Sequence, residues 1–410
     1  MAQRTRSRER LFLLTALGSG GTEILILSVM TNQLIHDSSG VMAALVYIFS
    51  LIGVSLMGLV GGILLNAITN RLIGISSSVL CAVLCLVSIG FQGIWTDMLL
   101  TGMVSFFSAL GGPNVTATYA RMLGANRASG MAKYQSFSIS IAVGAPILGA
   151  FLISAEQTKW ALIIASLLHL ASVIPWLTIL GERCTTQKIT GRLWNTAAIG
   201  YRCIFSIPAL RLMTISRLLN NLLYIGLPVS LPLVIGTMHL EAADAAWTQA
   251  SGVSSIRIGA LIGGATLAWL LTKRADLARM LPVQTLTFGI LAITLLCIAR
   301  DPIIIVCACV VAGVGQFSFR LTGTTFGPAV TPSSQLAHVI LAGDTVVRLF
   351  SAIYGLSLVA LVGVTGQPAY TLLFLSALAL PSARLMRPAV DKHFQAVKEE
   401  SRNNAEKDAF

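Results

Sequence analysis

Six charged side chains stand in stretches that are otherwise apolar, and their chemistry sets the first expectations. Two are carboxylates, Glu23 and Asp344, and four are guanidiniums, Arg217, Arg257, Arg320 and Arg348. A charge in hydrocarbon costs about 2.5–3.5 kcal/mol on insertion scales, so one that is retained there has a task. Glu23 lies about twelve residues into its apolar stretch, which at about 1.5 Å per residue puts it near the midplane of a membrane. A carboxyl group at that depth can take a proton from one side and release it to the other as access alternates, so Glu23 is the expected proton-coupling residue; the alternative is a hydrogen-bonded structural glutamate. Arginine keeps its proton, which suits it to holding a carboxylate in two places and not to carrying a transported proton. Arg257 and Arg348 lie near the midplane by the same count, with Arg217 and Arg320 nearer one side. All four are expected to contact an anionic or zwitterionic substrate. Asp344 is expected in the same substrate site; spaced i,i+4 from Arg348, it can instead pair with it on one helix face. Two carboxylates cannot neutralise four arginines, so positive charge is left over for water, carbonyls or substrate. Asn220 and Asn221 are carried as further substrate contacts, although polar side chains also join helices by hydrogen bonds; His169, beside Ser166 and Ser172, is read as a packing histidine.

These residues need elements that hold them in a membrane. The chain of 410 residues is 55% hydrophobic and 11% charged, and its mean hydropathy is +0.81; a soluble domain carries about 25% charged residues. A water-soluble fold is thereby excluded. Apolar stretches long enough to cross hydrocarbon fall near 11–35, 41–65, 72–93, 98–120, 136–155 and 160–180, then again near 212–236, 248–271, 280–299, 302–326, 339–363 and 368–385. The expected fold is an all-α polytopic membrane protein of about twelve transmembrane helices in two six-helix halves. Residues 1–180 form the first half, 181–211 a basic central loop, 212–385 the second half and 386–410 a polar tail.

Basic residues alternate with the spans. One side collects Arg4, Arg6, Arg8 and Arg10, then Arg71, Arg121, Arg127 and Lys133, the central loop, Lys273, Arg274 and Arg279, and the tail from Arg384. The opposite loops hold Asp37, Asp97, Glu156 with Lys159, Glu241 with Asp244, and Arg300 with Asp301. The net charge of +12 is therefore a topology signal and not a nucleic-acid footprint, and it places both termini and the central loop in the cytoplasm. Leu11 to Ile35 is too long for a signal-peptide core and is read as the first span. The seven cysteines lie mostly inside apolar runs without metal or redox spacing.

Several segments resemble a known family. Two six-helix halves joined by a basic loop look like the major facilitator superfamily. Its loop after the second helix is similar to Asn66-Ala-Ile-Thr-Asn70-Arg71, with Asn66 at the glycine position. Its helix-five antiporter signature is similar to Gly144-Ala145-Pro146-Ile147-Leu148-Gly149, with Ala145 in place of a glycine. Arg121 to Asn126, and Gly200 to Arg211, resemble the branch of enterobactin exporters and macrolide efflux proteins. The resemblance implies a monomeric inner-membrane protein of bacteria whose export of a small organic molecule, such as a carboxylate siderophore or a drug, is driven by a proton gradient. It also implies gating roles for Asn70, Arg71, Pro146 and Gly149. Uptake of the same kind of solute is the alternative. The expected partners are substrate, protons and lipid, with no cofactor, metal or nucleic acid. No catalytic cluster, Walker A segment or ring of charges points to an enzyme, an ATP-driven pump or a channel.

Overall fold

The computed structural model describes residues 11–37, 39–91, 93–123, 127–155, 157–179, 193–224, 226–331 and 336–408. Among these the chain is helical and contains no strand, as the apolar stretches require: in lipid a helix satisfies every backbone group internally. The helices are α1 (Leu17–His36, after a short turn Leu13–Ala16), α2 (Val41–Ala67), α3 (Asn70–Gly90), α4 (Ile94–Leu123), α5 (Arg127–Ser154) and α6 (Thr158–Ala171, prolonged by Ile174–Leu177). After the centre of the chain come α7 (Leu193–Ser206), α8 (Pro208–Tyr224), α9 (Gly226–Gly236), α10 (Ala242–Lys273), α11 (Leu281–Cys297), α12 (Pro302–Val330), α13 (Leu336–Thr365), α14 (Pro368–Ala377) and α15 (Ser382–Asp408).

Ten segments of the described residues are long and apolar enough to cross a membrane, with α8 and α9 together making one of them. The expected fifth and twelfth spans fall below that length. The apolar part of α5 is Phe137–Ile153, and α14 stops at Ala377, short of the expected 385. Two further segments differ from expectation. The described part of the central loop is the helix α7, and the polar tail is the helix α15. Both are amphipathic and pack together with the second half: Cys203, Ile204, Leu210, Met386, Ala389 and Val390 share one buried cluster. Arg279 sits 4.4 Å over the ring of Phe394 in the same region.

Burial is distributed as lipid demands. Val364, Phe374 and Ile303 are 87, 71 and 70% exposed, while Ser28, Thr31, Thr101, Asn114 and Gln249 are fully buried. Trp95, Trp160, Trp247 and Tyr370 are all exposed, at the ends of helices on the side of the acidic loops, as an interfacial belt requires.

Each half is built around a pair of helices in backbone contact. A Cβ at Gly53 of α2 would collide with the carbonyl oxygen of Gly102 in α4, and one at Gly259 of α10 with that of Val310 in α12. Only glycine permits such approach. These are the second and fourth spans of one half and their counterparts in the other, so the internal repeat is visible in packing. The halves meet along α2 with α13 and α5 with α10, with further contact of α2 with α9 and α1 with α10.

Candidate functional site

The charged residues singled out in the sequence converge between the halves. Glu23 on α1 and Arg257 on α10 form an ion pair, the Arg257 Nη2 donating to Glu23 Oε1 at 2.7 Å. Glu23 has no cation on its own helix face; its partner comes from the opposite half, 234 residues along the chain. The Glu23 side chain is 26% and the Arg257 side chain 28% exposed, so the pair is not sealed in the core.

Asp344 does not pair with Arg348. Its Oδ1 accepts from Arg217 Nη2 at 3.2 Å, tying α13 to α8. Arg217 also lies 5.7 Å over the ring of Phe319 on α12, and its Nε makes no hydrogen bond. Arg348 forms no ion pair among the described residues. Both Arg320 and Arg348 are exposed; Arg320 stands within electrostatic reach of Arg348, Arg257 and Asp344, and both stand within reach of Tyr47 on α2. These shared charges group the two guanidiniums with the Glu23–Arg257 pair. Tyr47 also feels the charges of Glu23 and Arg257. Sequence reasoning passed over it, since a single aromatic in an apolar span carries no signal of its own.

The asparagines take a different place from the one expected for substrate contacts. Asn220 is 1% and Asn221 is 2% exposed. Asn220 Oδ1 accepts from Ser382 Oγ at 2.9 Å, and Asn221 Nδ2 donates to the Val347 carbonyl at 3.2 Å and to Ser351 Oγ. Both fasten α8 to its neighbours, the role polar side chains commonly play between helices in lipid.

Of the residues expected to gate, Asn70 is 3% exposed and holds the start of α3 to α4. Its Oδ1 accepts from the Arg71 backbone N–H at 2.7 Å, its Nδ2 donates to Thr118 at 3.2 Å, and its carbonyl accepts from Asn114 Nδ2 at 2.8 Å. Arg71 is exposed. Pro146 lies inside α5, and Gly149, one turn on, packs against Ile24, Leu27 and Ser28 of α1, with Leu27 Cδ2 at 3.5 Å from where a Cβ would stand. The segment Arg121 to Asn126 runs into residues 124–126, outside those described.

Comparison with known proteins places this arrangement. A family model described as Major Facilitator Superfamily matches residues 11–356. No curated protein matches the sequence. Among solved structures, the nucleoside transporter NupG superposes with a TM-score of 0.69 at 14% identity, over 94% of this chain and 98% of that one. A POT family transporter in complex with 5-aminolevulinic acid gives 0.71 at 11% identity, over 95% and 96%. A bacterial homolog of the human lysosomal transporter Spinster, in an inward-facing and unoccupied conformation, gives 0.62 at 14%, over 96% and 97%. At these identities the likeness is one of fold.

Proposed function

Since this chain belongs to the Major Facilitator Superfamily of secondary transporters, we propose that it moves a small anionic or zwitterionic organic molecule coupled to protons, with Glu23 as the proton carrier and Arg257 as its switch. The observation that carries this reading is the Glu23–Arg257 ion pair across the two halves at 2.7 Å. Arg320 and Arg348 face the same cleft, and four guanidiniums against two carboxylates leave it net positive. A carboxylate entering such a cleft finds a planar donor fork on Arg348 at once, and a second on Arg257 if it displaces Glu23. Glu23 released in this way is an anion without its partner, and it takes up a proton. Substrate and proton thus favour each other's binding, and linkage makes the effect reciprocal.

That sign of coupling moves anion and proton together, which with an inward proton gradient means uptake. Export by exchange is the second reading. It is favoured by the likeness to the enterobactin-exporter and macrolide-efflux branch and by the position of Gly149, which packs on α1 one turn beyond Glu23. The alternating basic loops support both termini being cytoplasmic, and the family resemblance supports a monomer in the bacterial inner membrane. Purified protein in liposomes containing a pH-sensitive dye tests the coupling. Acidification of the interior as a carboxylate substrate enters supports co-transport, alkalinisation of the interior supports exchange, and transport that leaves the pH untouched refutes proton coupling in either direction.

A further inference from the structure

We propose that the anion this site takes is doubly charged, an α,ω-dicarboxylate or a longer molecule with two such groups set apart, one held by Arg320 and Arg348 together and the other by Arg257 in place of Glu23. The proposal rests on the reading of the arginines as an anion site and adds the charge and the spacing of the anion.

The spacing is set by where the helices put the guanidiniums. The Arg217–Asp344 bond marks the end of the cluster nearer the basic loops. Its guanidinium lies between two glycines: a Cβ at Gly323 of α12 would stand 3.4 Å from the Arg217 Cζ, and one at Gly343 of α13 would stand 3.6 Å from its Nη1. Arg320 comes three residues before Gly323, and Arg348 four residues after Asp344. Since α12 runs toward the basic-loop side and α13 away from it, both arginines stand one helical turn nearer the acidic-loop side than that bond. They do so on two helices that meet at Arg217, and Arg320 is within electrostatic reach of Arg348.

Arg257 stands farther along the same direction. The close approaches of Gly259 to the Val310 carbonyl and of Gly313 to the Ile256 carbonyl put Arg257 level with residues 310–313 of α12. That is about 10–15 Å of helix short of Arg320. The side chains reach across part of this rise, since Arg320 feels the charge of Arg257. Tyr47 of α2 stands near both levels, in range of Glu23, Arg257, Arg320 and Arg348. Two anion positions follow, one at each level, with a gap that a single carboxylate does not span.

Charge gives the same number. Asp344, which is also in range of Arg320, is bonded to Arg217. Among the described residues the cluster therefore sets four guanidiniums against two carboxylates, and against one when Glu23 takes a proton. Three positive charges then lack a counter-charge. A monoanion leaves two of them and a dianion one, and like charges held out of bulk water repel strongly. The second anionic group also serves the coupling. With one end fixed at Arg320 and Arg348, the other is presented to Arg257 at high effective concentration and can displace Glu23. A monoanion bound at Arg320 and Arg348 leaves the Glu23–Arg257 pair intact and calls for no proton.

The test is titration calorimetry on the purified full chain with adipate, suberate and sebacate and with the monomethyl ester of each, which keeps the length and removes one charge. In Glu23→Gln, where Arg257 is open, the best diacid is expected to bind about tenfold tighter than its ester or more, the worth of one charge-assisted contact. In the double variant Glu23→Gln, Arg257→Gln that preference should disappear with the ester affinity unchanged. The double change strands no charge, and its melting temperature checks that the bundle is intact. Equal binding of diacid and ester in Glu23→Gln overturns the second anionic group and leaves the anion site standing. A preference that survives the loss of Arg257 overturns the place given to that group. Binding of neither compound to the wild type or to Glu23→Gln removes the anionic reading and this inference with it.

Discussion

Replacing Glu23 by Gln keeps the shape of the side chain and one acceptor but removes the charge that holds Arg257. At a separation of charge centres near 4 Å, an effective dielectric of about 20 gives an attraction of about 4 kcal/mol. Solvent reaches about a quarter of each partner and screens the pair, which brings the net contribution to about 2 kcal/mol, the range of a hydrogen bond to a charged group. A carboxylate substrate that must displace Glu23 therefore gains up to about thirtyfold in affinity for the Glu23→Gln protein. The same variant has lost the group that binds the proton, so accumulation against a gradient should cease while exchange of internal for external substrate continues. Both can be measured on purified protein, affinity by calorimetry with whichever carboxylate most raises the melting temperature of the wild type, and accumulation in liposomes with an imposed proton gradient. Unchanged or weakened affinity would refute the competition between Glu23 and substrate for Arg257. Persistent uphill accumulation would refute the coupling role itself.

Other expectations follow from the same geometry. Arg348→Lys keeps the charge but loses the planar fork, and should weaken carboxylate binding by about 2 kcal/mol with the melting temperature unchanged, because Arg348 has no ion pair among the described residues; equal affinity would exclude it as a ligand. Asp344→Asn should alter stability by less than about 1 kcal/mol, since the Asp344 side chain is 49% exposed and such pairs contribute little. A larger loss in thermal unfolding would show that the Arg217 bond anchors α13. Gly313→Val should be far more damaging. A Cβ there collides with the carbonyl of Ile256, and overpacking of this kind costs about 1–3 kcal/mol or more, which a fall in folded yield and melting temperature will report.

Much of the fold was legible because hydrocarbon imposes a length on apolar stretches, and loops of alternating charge fix their order. Where the length rule was weakest, at α5 and α14, the described helices are shorter than expected in their apolar part. The central loop and tail were read as polar connectors because they are rich in charge. Their amphipathic pattern was nevertheless present: Met386, Val390 and Phe394 recur every four residues, and the first two are buried in the structure. The site was legible in composition but not in pairing. A sequence displays neighbours at i,i+4, so Asp344 was matched to Arg348, whereas its partner Arg217 lies 127 residues away. The Glu23–Arg257 pair spans the two halves and has no local trace. Asn220 and Asn221 look alike in sequence whether they face water or a neighbouring helix; only burial separates the two.

The glycine contacts also describe how stiffness is distributed through the molecule. Within each half, α2 against α4 and α10 against α12 touch backbone to backbone, and such a joint has no side-chain torsion through which to yield. Along the α2–α13 seam between the halves the close approaches are of another kind: Gly58 meets the side chain of Thr345, and Gly355 that of Ile48. These can give by rotation about a few χ angles. Under load the α2–α13 seam yields more readily than the α2–α4 joint, so distances from α2 to α4 should stay constant through a transport cycle while those from α2 to α13 change.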